Sequence, residues 1–290
     1  MEAITREEKI MSGENLTPIT RKEMFLAKAA GQNIETPEPI TREEMFLSKI
    51  SGGGNSGGGE GGDDTFSAEK YFEGNYAEVT LPNIKKVKAY AFYSDDVLTS
   101  INLPDDITSI GASAFYGCEN LALTSLPSGV TSIGANAFYG CSNLALTSLP
   151  SIRYITDGAF SGCKKLKFIA LPDSVTSIGA NAFNNCTQLA LESLPSGVTY
   201  MGSGAFYRCA KIALTSLPSS VLNIASSAFL GCTGLTTLTF EGTPKTIMNT
   251  TFSNCTNLTT INVPWAEGAV DNAPWGATSA QINYNYVEGE

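Results

Sequence analysis

Residues 133–150 read IGANAFYGCSNLALTSLP, and this stretch decides the fold because it recurs along the chain. Its Ala137-Phe138 dipeptide has a counterpart every 23 residues, with a single interval of 22, and the last copy carries Thr in place of Ala. Such regular self-similarity is typical of a repeat architecture. The phenylalanines of the eight copies are Phe92, Phe115, Phe138, Phe160, Phe183, Phe206, Phe229 and Phe252.

Each copy repeats a few apolar positions around its phenylalanine. In the copy quoted above they are Ile133, Cys141, Leu144 and Leu149, and Pro150 closes the unit. A unit of about 23 residues is too small to enclose a core alone, so its apolar face must be covered by the next copy. The repeat therefore predicts a stack of coils, roughly 40 Å long at the ~4.8 Å spacing of β-strands.

The alternation of apolar and polar residues predicts short strands in each coil. Leu166–Leu171 and Leu258–Val263 alternate with period 2, and a second short strand is expected at Val130–Ile133. Gly134 and its equivalents are expected to turn the chain. The Ala-Phe-x-x-Cys segment is too short for a regular α-helix, so we expect a single helical or 3₁₀ turn there.

The pattern Ile-Gly-x-x-Ala-Phe-x-x-Cys-x-x-Leu…Leu-Pro resembles the BspA-type leucine-rich repeat family of bacterial and protist proteins, from about Val79 to Pro264. The resemblance implies a mainly β, right-handed leucine-rich-repeat solenoid of about eight 23-residue coils. It also implies a cell-surface or adhesive protein without catalytic activity. Four copies shift the middle apolar residue of the strand by one place, which leaves their register open; they begin at Leu121, Leu144, Leu189 and Ile212.

Composition excludes several classes of function. The 290 residues include 18 Lys+Arg against 28 Asp+Glu, a net charge of −10, which argues against nucleic-acid binding. Histidine is absent, so His-based nucleophiles, general bases and metal sites are excluded. We predict no catalytic residue, no metal site and no cofactor. No stretch approaches 18 consecutive apolar residues, so membrane insertion is not expected.

The seven cysteines recur at the same position of successive copies, three residues after the phenylalanine. This spacing favours an inward-facing column of free thiols over a metal site or disulfides. The first copy carries Asp95 there. Asp95-Asp96 and Asp105-Asp106 are interpreted as solvated turn residues, a calcium site being the alternative.

Tyrosines supply the candidate binding residues. Tyr93, Tyr116 and Tyr139 directly follow the phenylalanine in consecutive copies, and Tyr207 does so in a later one. The first three are expected to stack as a column whose rings lie partly outside the core. Aromatic surfaces of this kind bind proteins or sugars, although a purely structural column is the alternative.

The segment before the repeats has a different character. Residues 1–50 contain three Ile-Thr-Arg motifs in which Thr5, Thr20 and Thr41 begin capping boxes, so they predict short helices. Helices this short are only marginally stable in isolation, so we expect residues 1–50 to dock on a larger assembly. The start of the chain lacks the basic and apolar regions of a signal peptide.

The expected organisation has four parts. The parts are residues 1–50, short capped helices that anchor; 51–64, a Gly-rich flexible linker; 65–265, the solenoid; and 266–290, a C-terminal cap. Trp265 and Trp275 are expected to cover the apolar end of the last coil.

The expected function is a non-enzymatic interaction or adhesion protein that presents its solenoid to a protein or glycan. The segments flanking the repeats resemble parts of bacteriophage and prophage structural proteins. This second resemblance implies a virion accessory or receptor-binding component, virion-associated or cytoplasmic before assembly. The alternative is a bacterial cell-surface adhesin, and association with further copies of the chain is left open.

Overall fold

A computed structural model of the chain describes residues 65–66, 77–81 and 83–287. The short helices expected in residues 1–50 and the flexible linker expected at 51–64 lie outside the described residues. In the described part, the chain winds into a solenoid of parallel strands, and the predicted repeat solenoid is confirmed.

Short parallel strands form two sides of the solenoid. They form four sheets, with the orders β1-β3-β5-β6, β13-β11-β9-β8-β7, β2-β4 and β10-β12-β14-β15. The strands are β1 (Thr65–Phe66), β2 (Glu78–Thr80), β3 (Lys86–Val87), β4 (Ser100–Asn102), β5 (Ser109–Ile110), β6 (Ser132–Ile133), β7 (Tyr154–Ile155), β8 (Ser177–Ile178), β9 (Tyr200–Met201), β10 (Ser216–Leu217), β11 (Asn223–Ile224), β12 (Thr237–Phe240), β13 (Thr246–Ile247), β14 (Thr260–Asn262) and β15 (Gln281–Asn283).

The first side carries the aliphatic residue that precedes each phenylalanine by five positions. Ile110 pairs with Ile133, and each of these side chains is buried. The strand expected at Val130–Ile133 is thus confirmed in its last two residues, as β6. The ladder breaks between β6 and β7, where the repeat is one residue short. There the Thr156 hydroxyl donates to the Ile133 carbonyl at 2.9 Å.

The second side carries the phenylalanine and has an alternating hydrogen-bond pattern. In one coil the amides of Asn181, Phe183 and Asn185 each donate at 2.8 Å to a carbonyl of the next coil. The amides between them close turns within the coil, as from Ala182 to the Gly179 carbonyl at 3.3 Å. Asn181 and Asn185 have φ of 53° and 57°. These left-handed residues interrupt any helix, so the expected helical turn is a series of tight turns, and the described residues contain no helix.

The third side has strands only near the two ends of the solenoid. Leu258–Val263 contains β14, as expected, but Leu166–Leu171 forms no strand, so that prediction is wrong. Leu166 and Phe168 point inward while Ile169 is 57% exposed. The neighbouring copies carry the same inward spacing in their shifted pattern. The Glu192 amide of the next coil donates to the Ile169 carbonyl at 3.0 Å, and this isolated bond does not make the ladder of a strand.

Gly134 allows two neighbouring coils to approach closely and does not form a left-handed turn. Its φ is not positive, and a Cβ at this position would lie 2.7 Å from the Ala112 Cα of the preceding coil. The expectation that Gly134 turns the chain is therefore replaced by a packing role, because a side chain here would force the two coils apart.

Eight phenylalanine rings form the centre of the core. Successive rings are separated by 5.2–5.6 Å between centroids, with interplanar angles of 1–13°. All eight are fully buried. Regular stacking follows from the repeat, since every ring leaves an identical backbone position in a coil of nearly constant length.

The thiols form a second buried column, and the prediction of free, inward-facing cysteines is confirmed. Each Sγ donates to the carbonyl of the phenylalanine in the preceding coil; Cys186, for example, reaches Phe160 O at 3.0 Å. Burial raises the pKa of Cys255 to about 11 and raises those of the more deeply buried thiols as well. The column therefore joins coils by hydrogen bonds and stays protonated.

Asp95 takes the cysteine position of the first repeat copy and is fully buried, so its interpretation as a solvated turn residue is wrong. Its Oδ1 accepts hydrogen bonds from the amides of Val97 at 3.1 Å and Leu98 at 2.9 Å. The carboxylate thus accepts hydrogen bonds from its own coil, whereas each thiol of the later coils donates to a carbonyl of the preceding coil.

The C-terminal segment packs on the last coil through two tryptophans. Trp275 is fully buried and Trp265 nearly so, with their ring centroids 6.2 Å apart. Trp265 also lies 5.3 Å from the ring of Phe240, and the Trp275 carbonyl accepts the amide of Phe252 at 2.9 Å. The last phenylalanine therefore keeps the inter-coil hydrogen bond that all the others make.

Replacing a central ring tests the stacked core. Phe183→Ala is expected to reduce the free energy of unfolding by about 3–5 kcal/mol, because it removes a fully buried ring and leaves a cavity between two neighbours. Urea titration followed by circular dichroism measures the loss. Tyr200→Ala, which removes a ring that is 42% exposed, is the control and should cost far less; equal losses would contradict the stacked core.

The thiol column predicts alkaline destabilisation. Thiols in the unfolded chain ionise near pH ~8.5, whereas burial keeps them protonated in the fold. The contribution of the buried thiols to the free energy of unfolding is fully present below that pH. It is lost as the pH rises toward the raised pKa values of the folded state. Each thiol should remove about 1.4 kcal/mol per pH unit above that point.

Urea titrations in reductant between pH 7 and pH 10 measure this slope. A Cys255→Ala variant should show a shallower slope by one thiol's share. An unchanged slope would contradict the protonated column.

Candidate functional site

In three consecutive coils the residue after the core phenylalanine is a tyrosine whose side chain is partly exposed. Tyr93 and Tyr116 stack with centroids 4.7 Å apart and an angle of 8°, and Tyr116 and Tyr139 stack at 4.6 Å and 5°. We call these three residues the tyrosine ladder. The structure thus brings together three of the four predicted site residues.

Exposure changes along the tyrosine ladder. Tyr93 and Tyr116 are half-buried, and burial together with their tyrosine neighbours raises the pKa of both phenols. Tyr139 is 38% exposed, and Tyr116 is the one ring that stacks on it among the described residues. Tyr90 adds a tilted contact with Tyr93 at 5.8 Å. The ladder therefore offers an aromatic surface that ends at Tyr139.

Tyr207 lies apart from the ladder. Two coils intervene, and they carry Ser161 and Asn184 at the equivalent position. The Arg208 guanidinium instead lies over the Tyr207 ring, 5.1 Å from its centroid. The fourth predicted site residue thus occupies the same column without joining the stack.

A groove opens where the tyrosine column is interrupted. It encloses about 300 Å³ next to the ring of Tyr139. Sequence reasoning missed this feature, although the replacement of tyrosine in two adjacent copies was visible. The groove is lined by Asn136, Tyr139, Asp157, Gly158, Ser161, Ala180, Asn181 and Asn184.

Two further exposed tyrosines lie on the first side of the solenoid and not on the ladder. Tyr154 on β7 is 55% exposed and Tyr200 on β9 is 42% exposed. The Arg153 guanidinium lies 5.4 Å from the Tyr154 ring centroid. These residues provide matched controls for experiments on the ladder.

Metal and membrane features are not found in the part of the chain that the structure describes. Across residues 65–66, 77–81 and 83–287, no group of three Cys, Asp or Glu side chains is arranged to hold a metal ion. Over the same ranges no helix is long and apolar enough to span a bilayer.

Stacking in the ladder predicts a graded response to truncation. Tyr116→Ala should destabilise the fold more than Tyr139→Ala, because Tyr116 stacks on two rings and Tyr139 on one. A double-mutant cycle between the two should give a coupling of ~0.5–1.5 kcal/mol. Urea unfolding of the four proteins measures it, with the cycle between Tyr116 and Tyr200 as control. Zero coupling between Tyr116 and Tyr139 would contradict the stacked geometry.

Comparison with known proteins identifies the repeats. The model of the BspA type leucine rich repeat region matches residues 65–190 and 153–272. Two solved structures are similar with a TM-score of 0.54 each. One is a leucine rich cell surface protein from Faecalibacterium prausnitzii A2-165, 26% identical over 66% of this chain. The other is a leucine-rich repeat protein from Bacteroides ovatus ATCC 8483, 25% identical over 71%.

These matches cover 64% and 60% of the two solved chains. No curated protein sequence matches this chain significantly. The resemblance of the flanking segments to phage structural proteins finds no support in the comparisons. Because the family model spans residues 65–272, most of the sequence, the chain belongs to the BspA-type leucine-rich repeat family.

Proposed function

We propose that this protein is a non-enzymatic adhesion module that binds a protein or glycan through the tyrosine ladder. The observation that carries the proposal is the stack of Tyr93, Tyr116 and Tyr139, which ends at a ring that is 38% exposed. Tyrosine combines a rigid apolar ring with a polar hydroxyl, as binding surfaces require.

The chemistry of the fold supports binding rather than catalysis. Most fixed positions of each coil are packing positions, and the thiols that could act as nucleophiles are buried and kept protonated. A solenoid of this kind holds surface side chains at nearly constant spacing from coil to coil. Repeated side chains can therefore contact an extended ligand at several points.

We place the protein at a cell surface rather than in a virion. One similar structure is that of a cell surface protein, at 26% identity. The comparisons give the virion assignment no corresponding support. In this setting, residues 1–50 would dock the solenoid on a larger assembly and residues 51–64 would separate the two.

An array of immobilised glycans and purified glycoproteins, probed with the full chain, tests the binding function. The triple variant Tyr93→Ala, Tyr116→Ala, Tyr139→Ala should weaken binding to the bound array members by about tenfold or more. The double variant Tyr154→Ala, Tyr200→Ala removes exposed tyrosines from another side and should bind as the parent does. Binding that depends on the second pair instead would overturn the assignment of the ladder.

Fractionation of the source cells tests the setting. Antibodies to the solenoid should label intact cells and the surface fraction. Recovery of the chain in purified phage particles and not on cells would overturn the surface assignment and favour the virion alternative.

A further inference from the structure

The groove beside Tyr139 arises from a local departure from the repeat. The position after the phenylalanine is tyrosine in the first three coils and again at Tyr207, but Ser161 and Asn184 occupy it between them. Tyr139 and Tyr207 are three coils apart, about 14 Å at the spacing of parallel strands. The two small residues leave a recess of about 300 Å³ within the column, at the lower end of the range for small-molecule sites.

One wall of the groove is aromatic. Tyr116 covers one face of the Tyr139 ring, and the other face is turned toward the coil of Ser161, where no ring follows. A planar apolar surface placed there would continue the ladder, whose rings lie 4.6–4.7 Å apart. The face of a pyranose ring, lined by C–H groups, fits such a surface.

The remaining walls are polar and carry both hydrogen-bond donors and acceptors. Asn184 Nδ2 donates to Asn181 Oδ1 at 3.1 Å, while Asn184 Oδ1 is buried and has no hydrogen-bond partner among the described residues. Asp157 Oδ1 accepts the amide of Ala180 at 2.7 Å. Amides and a carboxylate offer both donors and acceptors, which complements hydroxyl groups because each of these donates and accepts.

The groove does not suit an anion or an added peptide strand. Its lining contains the carboxylate of Asp157 and no cation. The backbone amides are committed within the solenoid: Gly158 N donates to Ala180 O at 2.8 Å, and Asn181 N to Ser203 O at 2.8 Å. No free backbone edge is therefore present in the groove for strand addition.

The groove is also built on a rigid backbone. Gly158 has a φ of 63°, and a Cβ at this position would collide with Asn136 Oδ1. The absence of this side chain lets Asn136 lie against the next coil at the edge of the groove. Polar groups held on regular coils lose little conformational freedom on binding, which favours a small ligand.

From this geometry we propose that the groove between Tyr139 and Asn184 is a subsite for one neutral sugar residue, stacked on Tyr139. Its hydroxyls bond to the carboxylate of Asp157 and to the amides of Asn181 and Asn184. The assignment rests on the proposed adhesive function, which it sharpens to glycan recognition. A polypeptide ligand is the competing outcome of the test.

Saturation-transfer difference NMR on the full chain tests this subsite, with the methyl glycosides of glucose, galactose, N-acetylglucosamine and fucose as probes. At least one glycoside should receive saturation, and its ring C–H protons should respond most strongly. Tyr139→Leu should weaken the dissociation constant by about tenfold or more. Tyr200→Leu, the same change at an exposed tyrosine on the first side of the solenoid, should leave it within about twofold.

Two further variants address the groove itself. Asn184→Tyr supplies the residue that the next coil already carries as Tyr207, so it should fold while filling the groove and abolishing saturation. Asp157→Asn keeps the shape and the bond to Ala180 and should weaken binding by a few-fold. Circular dichroism and urea unfolding verify that each variant is folded.

The outcomes separate the two proposals. Saturation lost in Tyr139→Leu and Asn184→Tyr but retained in Tyr200→Leu supports the sugar subsite. No saturation of any glycoside by the folded parent chain overturns it, as does equal loss in Tyr200→Leu. If the parent chain then still binds one of the array's glycoproteins through the ladder after enzymatic removal of its glycans, the subsite fails while the adhesive function stands. If neither binding is found, both fail.

Discussion

The solenoid depends on the peptide groups that flank each core phenylalanine, because their amides donate to the carbonyls of the next coil. Three donations in each of the first six coils, illustrated by Asn181, Phe183 and Asn185, tie the phenylalanine side together where no strand is present. They require a left-handed residue two positions before the phenylalanine in most coils and two positions after it in all of them. Asparagine, glycine and serine fill most of these positions, since they adopt this conformation at low cost. These inter-coil hydrogen bonds set the spacing of the core stack, the thiol column and the ladder.

The same constraint sets the position of the proposed binding surface. With the backbone held at both ends of the turn, the phenylalanine faces the core and the following tyrosine of the ladder is partly exposed. This position is free to vary, and it carries Tyr116 and Tyr139, then Ser161 and Asn184. A change of residue there alters the surface without disturbing the coil, so stacked rings and a polar groove can stand side by side on one scaffold. The departures at Ser161 and Asn184 accompany the groove beside Tyr139.

Much of this architecture could be predicted from sequence. The regular interval between phenylalanines led to the solenoid, the buried thiols and the stacking of Tyr93, Tyr116 and Tyr139, because each follows from equivalent positions in equivalent coils. Properties that depend on a neighbouring coil were harder to foresee. Leu166–Leu171 alternates like a strand, yet its backbone does not form the ladder of inter-coil hydrogen bonds that a strand needs. Asp95 is buried because it occupies the cysteine position, whereas a pair of adjacent acids viewed locally suggests a solvated turn. The groove arises between coils, so no single copy contains its pattern.

The central claim is that the column following the core phenylalanines, and not the strand-bearing side of the solenoid, is the interaction surface. Hydroxyl-radical footprinting of the full chain, read by mass spectrometry with and without a glycoprotein that it binds, tests this most directly. Oxidation of Tyr139, whose ring is 38% exposed, should fall on binding, while oxidation of Tyr154 and Tyr200 should stay unchanged. Protection of Tyr154 and Tyr200 with Tyr139 still oxidised at its original rate would contradict the account.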